Sequence, residues 1–334
     1  MEFSILVHGC GNIGTGHLFR GIYISDWITT IFEKRFSVNF LVLDSDEGNV
    51  NDSVNLLKTR SKFKISPVSE KELKKSKYEF LIVDILNPPK NLMDSLRLIS
   101  KRILIFDCTN DARCLSDISV NPLYYNISSC CRPIQTFVGP QFNINSPKIF
   151  SYKTKFNSTV KNILLTQGGS DPYNFTIEIL NALESTLRSY KNVTFHVLLG
   201  PDYKHPISVL DKFNLRFSNL EIHNNLKSPL ELFIKMDLAI SSVGLTSIEL
   251  ACLRIPCIHL TKIDKEIETA KLMEQIGVSM YFDNSIVTEK DYMLEVLSEI
   301  IEEDSKRKEM VNSCHAYFSE ERAKSSIKSF LSQD

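Results

Sequence analysis

Hydrophobic residues in this chain gather into short unbroken runs. In the first half they recur at Phe3–Val7, Val38–Leu43, Phe80–Val83 and Ile103–Phe106. Stretches of mixed polarity, long enough for crossover helices, separate most of them. Unbroken β-rich runs of this length predict strands covered on both faces, the pattern of a parallel sheet. A second series follows at Ile163–Thr166, Val193–Leu199, Leu238–Ser241 and Cys257–Leu260. Between its first two strands Ile179, Leu183 and Leu187 repeat at helical spacing, with Leu180 alongside. Asp171-Pro172 offers that helix a cap and a first-turn proline. The charged segment Glu289–Leu331 predicts a pair of amphipathic helices. Gly139–Lys161, rich in Asn, Ser, Lys and Pro, reads as the crossing between domains. The expectation is α/β: two Rossmann-like domains, residues 1–150 and 151–334, with a cleft between them.

Three first-half strands end on an aspartate, namely Asp44, Asp84 and Asp107. A parallel sheet collects such carboxylates at its C-terminal edge, where ligands bind. Length agrees with two cores, since 334 residues is about two domains' worth. Charge narrows the partners: 39 Lys+Arg against 40 Asp+Glu shows no basic excess, which argues against a nucleic-acid binder. The apolar runs fall far short of the roughly 20 residues a membrane span needs, so no stable membrane insertion is expected. The eight cysteines contain no C-x-x-C pair. Most lie in apolar strings, which predicts a reduced, cytoplasmic protein. His8, His196, His205, His223, His259 and His315 show no metal-ligand spacing, so neither metal nor cofactor is expected.

Two glycine-rich regions carry the candidate chemistry. Gly9-Cys-Gly11-Asn-Ile-Gly14 after the first strand is a literal G-x-G-x-x-G, and Asp44 stands where a dinucleotide fold places its ribose acid. That reading makes the protein an NAD-dependent oxidoreductase. The same loop also holds Ile13-Gly14-Thr15-Gly16-His17-Leu18-Phe19-Arg20. There Gly14 and Gly16 would admit a ligand to the backbone, His17 would serve as a base at a helix start, and Arg20 would meet an anion. In the second half, Gln167-Gly168-Gly169-Ser170-Asp171-Pro172 and Ser241-Ser242-Val243-Gly244-Leu245-Thr246-Ser247 each follow a strand and open a helix. Free amides and hydroxyls at such a turn suit a diphosphate. Glu249, on the helix that follows, could accept both hydroxyls of a ribose. No Walker, G-x-S-x-G or H-E-x-x-H motif occurs.

Together these stretches resemble a two-domain GT-B sugar-nucleotide family. It contains the UDP-sugar hydrolase of pseudaminic acid biosynthesis (UDP-2,4-diacetamido-2,4,6-trideoxy-beta-L-altropyranose hydrolase) and spore-coat polysaccharide relatives. The matching residues run through Ile13–Arg20, Phe80–Asp84, Phe106-Asp107, Ser119–Asn121, Gly139-Pro140, Ile163–Asn174, Leu199-Gly200 and Met236–Pro256. The resemblance implies hydrolysis of a UDP-linked amino or deoxy sugar with inversion, His17 assisting water. It implies a nucleotide site of Leu226, Gly244, Leu245, Thr246, Ser247 and Glu249. The sugar would lie against Gly14, Gly16, Arg20, Asp84, Gly169, Ser170, Lys265 and Glu266. Two departures are visible: Lys265-Glu266 replaces an Asn-Gln pair, and Cys108 follows Asp107 where the family has a second acid. They keep a GT-B glycosyltransferase as the alternative.

Overall fold

The computed structural model describes residues 1–8, 15–32, 36–44, 49–123, 127, 134–152, 154–201, 203–224, 226 and 228–331. In chain order the elements begin with β1 (Glu2–Val7), α1 (Gly16–Phe32), β2 (Ser37–Leu43), α2 (Val50–Arg60), β3 (Lys64–Val68) and α3 (Glu70–Leu73). Next come β4 (Tyr78–Asp84), α4 (Lys90–Ile99), β5 (Ser100–Phe106), β6 (Ile118–Asn121) and β7 (Gln135–Val138). The second series is β8 (Asn162–Thr166), α5 (Phe175–Ala182), α6 (Glu184–Ser189), β9 (Thr194–Leu198), α7 (Ser208–Arg216), β10 (Leu220–His223) and α8 (Leu230–Phe233). It continues with β11 (Leu238–Ser241), α9 (Leu245–Cys252), β12 (Cys257–His259), α10 (Asp264–Gln275) and β13 (Ser279–Tyr281). Three helices close it: α11 (Lys290–Glu302), α12 (Asp304–Tyr317) and α13 (Glu320–Leu331).

The chain folds as two compact units, Met1–Pro147 with the segment from Glu320 onward, and Lys148–Ser319. The first sheet has the order β3-β2-β1-β4-β5-β6-β7, and its described pairs are all parallel. The second has the order β10-β9-β8-β11-β12-β13, again parallel. In both, strand order reverses beside the unit's first strand, between β1 and β4 and between β8 and β11. At such a reversal the loops leaving the C-terminal edge diverge, and ligands bind there in this class of sheet.

Burial explains the unbroken apolar runs. In the first sheet Leu6, Leu81, Val83, Ile103 and Ile105 pack with Leu92, Met93 and Leu96 of α4. The alternate residues Phe3, Ile5, Val7, Phe40 and Phe80 are also buried. Helix α1 lies close over this face because Gly21 carries no Cβ, which would stand 3.1 Å from the Phe40 ring. In the second sheet Ile163, Leu165, Phe195, Val197 and Ile240 belong to one core, and Leu164, Leu198, Ala239 and Cys257 to another.

Several expectations change. Strands β3, β6, β7, β10 and β13 are short, outer or polar, and only the interior strands carried the apolar signal. The helix expected to run through Leu187 breaks at Leu183 into α5 and α6. It starts at Phe175, and the Asp171 carboxylate caps it by accepting from the N–H groups of Phe175 (2.7 Å) and Thr176 (3.0 Å). The closing segment forms three helices, and the third belongs to the first unit. There Phe330 stacks edge-on against Phe137 with ring centroids 4.8 Å apart. Cys108, Cys252, Cys257 and Cys314 are free thiols, but Cys114 is disulfide-bonded, so the wholly reduced reading fails at that position.

Candidate functional site

In the first unit, β1, β4 and β5 place three loop-end residues against the start of α1. His17, one residue into α1, lies with Nδ1 2.6 Å from Oδ1 of Asp84, the last residue of β4. A carboxylate only accepts, so in the neutral ring this contact favours the tautomer with the proton on Nδ1 and the lone pair on Nε2, although Arg20 Nη2, itself a donor, lies 3.3 Å from the same Nδ1. The His17 side chain keeps 13% of its surface exposed, whereas Asp84 keeps none.

Arg20, one turn along α1, fills the space behind. Its Nε donates to Asp84 Oδ2 (2.8 Å), Nη2 to Asp84 Oδ1 (2.5 Å) and Nη1 to Asp107 Oδ2 (2.6 Å). The guanidinium lies over the Phe106 ring, 4.8 Å from its centroid. Burial alone would raise the Asp84 pKa. The charges and hydrogen bonds of Arg20 and His17 more than reverse this and hold it well below the usual carboxylate range. Burial likewise works against the Arg20 charge, and the two aspartates overcome it. Asp107 adopts φ 46°, a conformation costing of order 1–3 kcal/mol away from glycine, and its ion pair holds it there. His8 stands 5.9 Å from the His17 ring, centroid to centroid. Burial first, then the neighbouring His17, lower the His8 pKa to about 4 against the pull of Asp84.

Arg20 and Asp84 were expected to touch the sugar. Both are buried, and their polar atoms meet each other, His17 and Asp107. Asp107 is the member that sequence reasoning left out of the site. Its signal was present, as a strand-ending aspartate. The third such residue, Asp44, is exposed at the end of β2 and does not join them. Gly16 opens α1, while Gly14 and the rest of the G-x-G-x-x-G lie outside the described residues.

In the second unit the loops after β8 and β11 flank the order reversal. Gly168 adopts φ 73°, and Gly169 and Ser170 are exposed. A Cβ on Gly200 would lie 2.2 Å from the Gly168 carbonyl oxygen and 2.3 Å from that of Gly169, so only glycine lets this turn lie against that loop. After β11, Gly244 caps α9. Its N–H donates to Ser247 Oγ (3.1 Å), whose hydroxyl donates back to the Gly244 carbonyl (2.8 Å). Ser247, expected at a diphosphate, is buried and spends its hydroxyl on the cap. Gly244, Leu245, Thr246 and Glu249 are half-buried, and Leu226 is exposed.

Glu266, expected at the sugar, makes two contacts within the second unit. Its Oε2 accepts from the Val243 N–H (3.3 Å) and from the Thr261 hydroxyl, joining the loops after β11 and β12. Burial pushes its pKa up to about 7, against the lowering effect of those two bonds. The carboxylate so engaged braces the loop after β11 against the loop after β12. Lys265 lies in the first turn of α10. Strand pairing also makes a cluster that spacing along the chain hid: His196, Glu221 and His223 bring one ligand atom each within 4.8 Å of one another.

No protein-family model matches the chain. It is 27% identical over 284 residues to an uncharacterised protein of Methanocaldococcus jannaschii, covering 78% of this chain and 55% of that protein. The chain thus spans about half the length of that relative. It is 22% identical over 289 residues to the spore coat polysaccharide biosynthesis protein SpsG of Bacillus subtilis, covering 84% of this chain and 83% of that one. Among solved structures it is similar to Acinetobacter baumannii MurG, with TM-score 0.67, 13% identity and 98% of each chain covered. It is also similar to a UDP-GlcNAc 2-epimerase from Neisseria meningitidis bound to UDP-GlcNAc, with TM-score 0.61, 12% identity and 99% of each chain covered. The fold is accordingly α/β of the GT-B kind, two Rossmann-like units. Among the described residues no helix is long and apolar enough to cross a membrane.

Proposed function

We propose that the protein acts on UDP-sugars and hydrolyses a UDP-linked amino or deoxy sugar in surface-polysaccharide or nonulosonic acid biosynthesis, with His17 as general base. The observation that carries this reading is the 2.6 Å contact between His17 Nδ1 and Asp84, which leaves Nε2 as a lone-pair acceptor on a partly exposed ring. The likeness to SpsG and to an epimerase bound to UDP-GlcNAc supports the substrate class.

Nε2 of His17 takes a proton from water as its oxygen attacks the anomeric carbon. The bond from that carbon to the diphosphate oxygen breaks, and UDP leaves with the electron pair, inverting the anomeric centre. Arg20 and Asp107 keep the Asp84 carboxylate ionised and fixed, so the imidazole holds one tautomer and one orientation. The second unit takes the nucleotide. The diphosphate lies on the Gly244–Thr246 turn at the start of α9, the ribose on Glu249 and the uracil near Leu226. The exposed turn at Gly169 and Ser170 of the second unit is a candidate contact for the sugar.

The test supplies 2,4-diacetamido UDP-sugars in isotopically labelled water to wild type and His17→Ala. Label should enter the sugar with wild type, and turnover should fall by about 10²–10⁴ in the variant while UDP binding persists. UDP release that waits for a sugar or lipid acceptor would make the protein a transferase. The bracing role of Glu266, at the position where the resemblance implies a sugar-facing amide, favours that second reading.

A further inference from the structure

We propose that His196, Glu221 and His223 form a binding site for a borderline divalent metal ion such as zinc(II), on the outer edge of the second sheet. Glu221 of β10 stands opposite His196 of β9 in the parallel register, and His223 lies two residues on, where the pleat returns to the same face. The three donor atoms form a compact triangle. His196 Nδ1 is 3.0 Å from His223 Nε2 and 3.3 Å from Glu221 Oε2, and His223 Nε2 is 3.7 Å from that oxygen.

Tetrahedral bonds of about 2.0–2.1 Å separate neighbouring ligand atoms by about 3.3–3.4 Å, close to the mean edge of this triangle. A point equidistant from the three atoms lies about 2 Å from each, the bond length zinc makes to imidazole nitrogen and carboxylate oxygen. Two imidazoles and one carboxylate suit zinc and its neighbours over calcium or magnesium, which prefer all-oxygen shells.

The surroundings fix the ligands. Nε2 of His196 lies 3.1 Å from Oδ1 of Asn162 on β8. That amide oxygen only accepts, so Nε2 carries the proton and Nδ1 presents its lone pair to the cluster, as a metal ligand held by an outer partner does. The Nε2–H of His223, 3.0 Å away, donates to that lone pair. Binding needs only the other tautomer of His223, with its proton on Nδ1. His196 is buried while the Glu221 side chain is 57% exposed, so one side of the cluster is walled by protein and the other faces solvent, from which a water would come as fourth ligand.

The experiment strips the full-length protein with a chelator, then titrates zinc by calorimetry and cobalt(II) by visible absorption. Wild type should bind one equivalent at this cluster, gain the intense d–d bands of a low-coordinate cobalt site and show a higher melting midpoint. His223→Gln and Glu221→Gln, both at solvent-accessible positions, should weaken zinc at least 100-fold and about 10-fold respectively. Asn162→Ala should weaken it about 10–100-fold without removing a ligand. Binding with unchanged stoichiometry and affinity in His223→Gln would assign the metal to other residues and overturn the proposal. So would no binding by wild type at 100-micromolar zinc (about that concentration).

Discussion

Asp84→Asn offers the sharpest test of the first-unit site, because one atom pair changes and the shape hardly does. Asparagine keeps one acceptor oxygen but loses the charge that faces Arg20 and His17. The carboxylate accepts two hydrogen bonds from Arg20, at 2.8 and 2.5 Å, and one from His17, at 2.6 Å. Breaking a buried ion pair by removing one partner costs about 3–5 kcal/mol. Asp107 still pairs with Arg20, which places the expected loss near the lower end, about 3 kcal/mol. With a urea dependence of about 2 kcal/mol per molar, the unfolding midpoint should fall by roughly 1.5 M. The chain's single tryptophan, Trp27, is buried in the first unit and donates its indole N–H to the Asn145 carbonyl, so its fluorescence reports this unit. The pH dependence has a definite sign. The folded pKa of Asp84 lies below its unfolded value, so its contribution is present above about pH 4 and is lost as pH falls further. The gap between wild type and variant should close in that acid range. A midpoint shift below about 0.3 M, or a gap independent of pH, would refute the account of this cluster. Unchanged UDP release in the folded variant would separately remove Asp84 from His17's orientation.

Two further expectations concern the second unit. Gly200→Ala places a methyl group against the carbonyl oxygens of Gly168 and Gly169, which backbone cannot readily yield, so thermal stability should fall by about 1–3 kcal/mol or more and UDP-sugar binding should weaken with it; unaltered melting would show that the turn has slack. Glu266→Gln should remove a pH slope. The wild-type carboxyl ionises near pH 7 folded but near 4.5 unfolded, so stability is full below about pH 4 and lost as pH rises towards 7, by at most about 3 kcal/mol. Superimposable stability profiles of wild type and variant across that range would exclude Glu266 as the buried group.

The sequence made the interior of both sheets legible because those strands are buried on two faces, so β1, β2, β4, β5, β8, β9, β11 and β12 each carry an apolar run. It hid β3, with Lys64 and Pro67, and β10, with Glu221 and His223, because outer strands need no such run. The His17 loop stood out through its glycines. Asp84 and Asp107 stood out as strand-ending aspartates, but their pairing with Arg20 did not, since they lie 64 and 87 residues beyond it and meet it only through sheet order. The metal cluster was invisible for a related reason: His196 and Glu221 become neighbours through inter-strand register, which no spacing along the chain encodes. Ser247 and Glu266 were visible as polar residues beside glycine-rich or helix-opening loops, yet the cap and the brace that occupy them are properties of the folded backbone.

The first unit is assembled from two stretches separated by the whole of the second. Phe330 is buried against Phe137, and its ring lies 6.3 Å from that of Phe142, centroid to centroid. On a ribosome, residues 1–147 emerge with that aromatic contact still unmade, and residues 148–319 can complete their own core before it forms. The order of completion is therefore the reverse of the order of synthesis. Until α13 arrives, Phe137 and Phe142 present an uncovered aromatic surface on the nascent first unit, the kind of transient apolar exposure that chaperones bind.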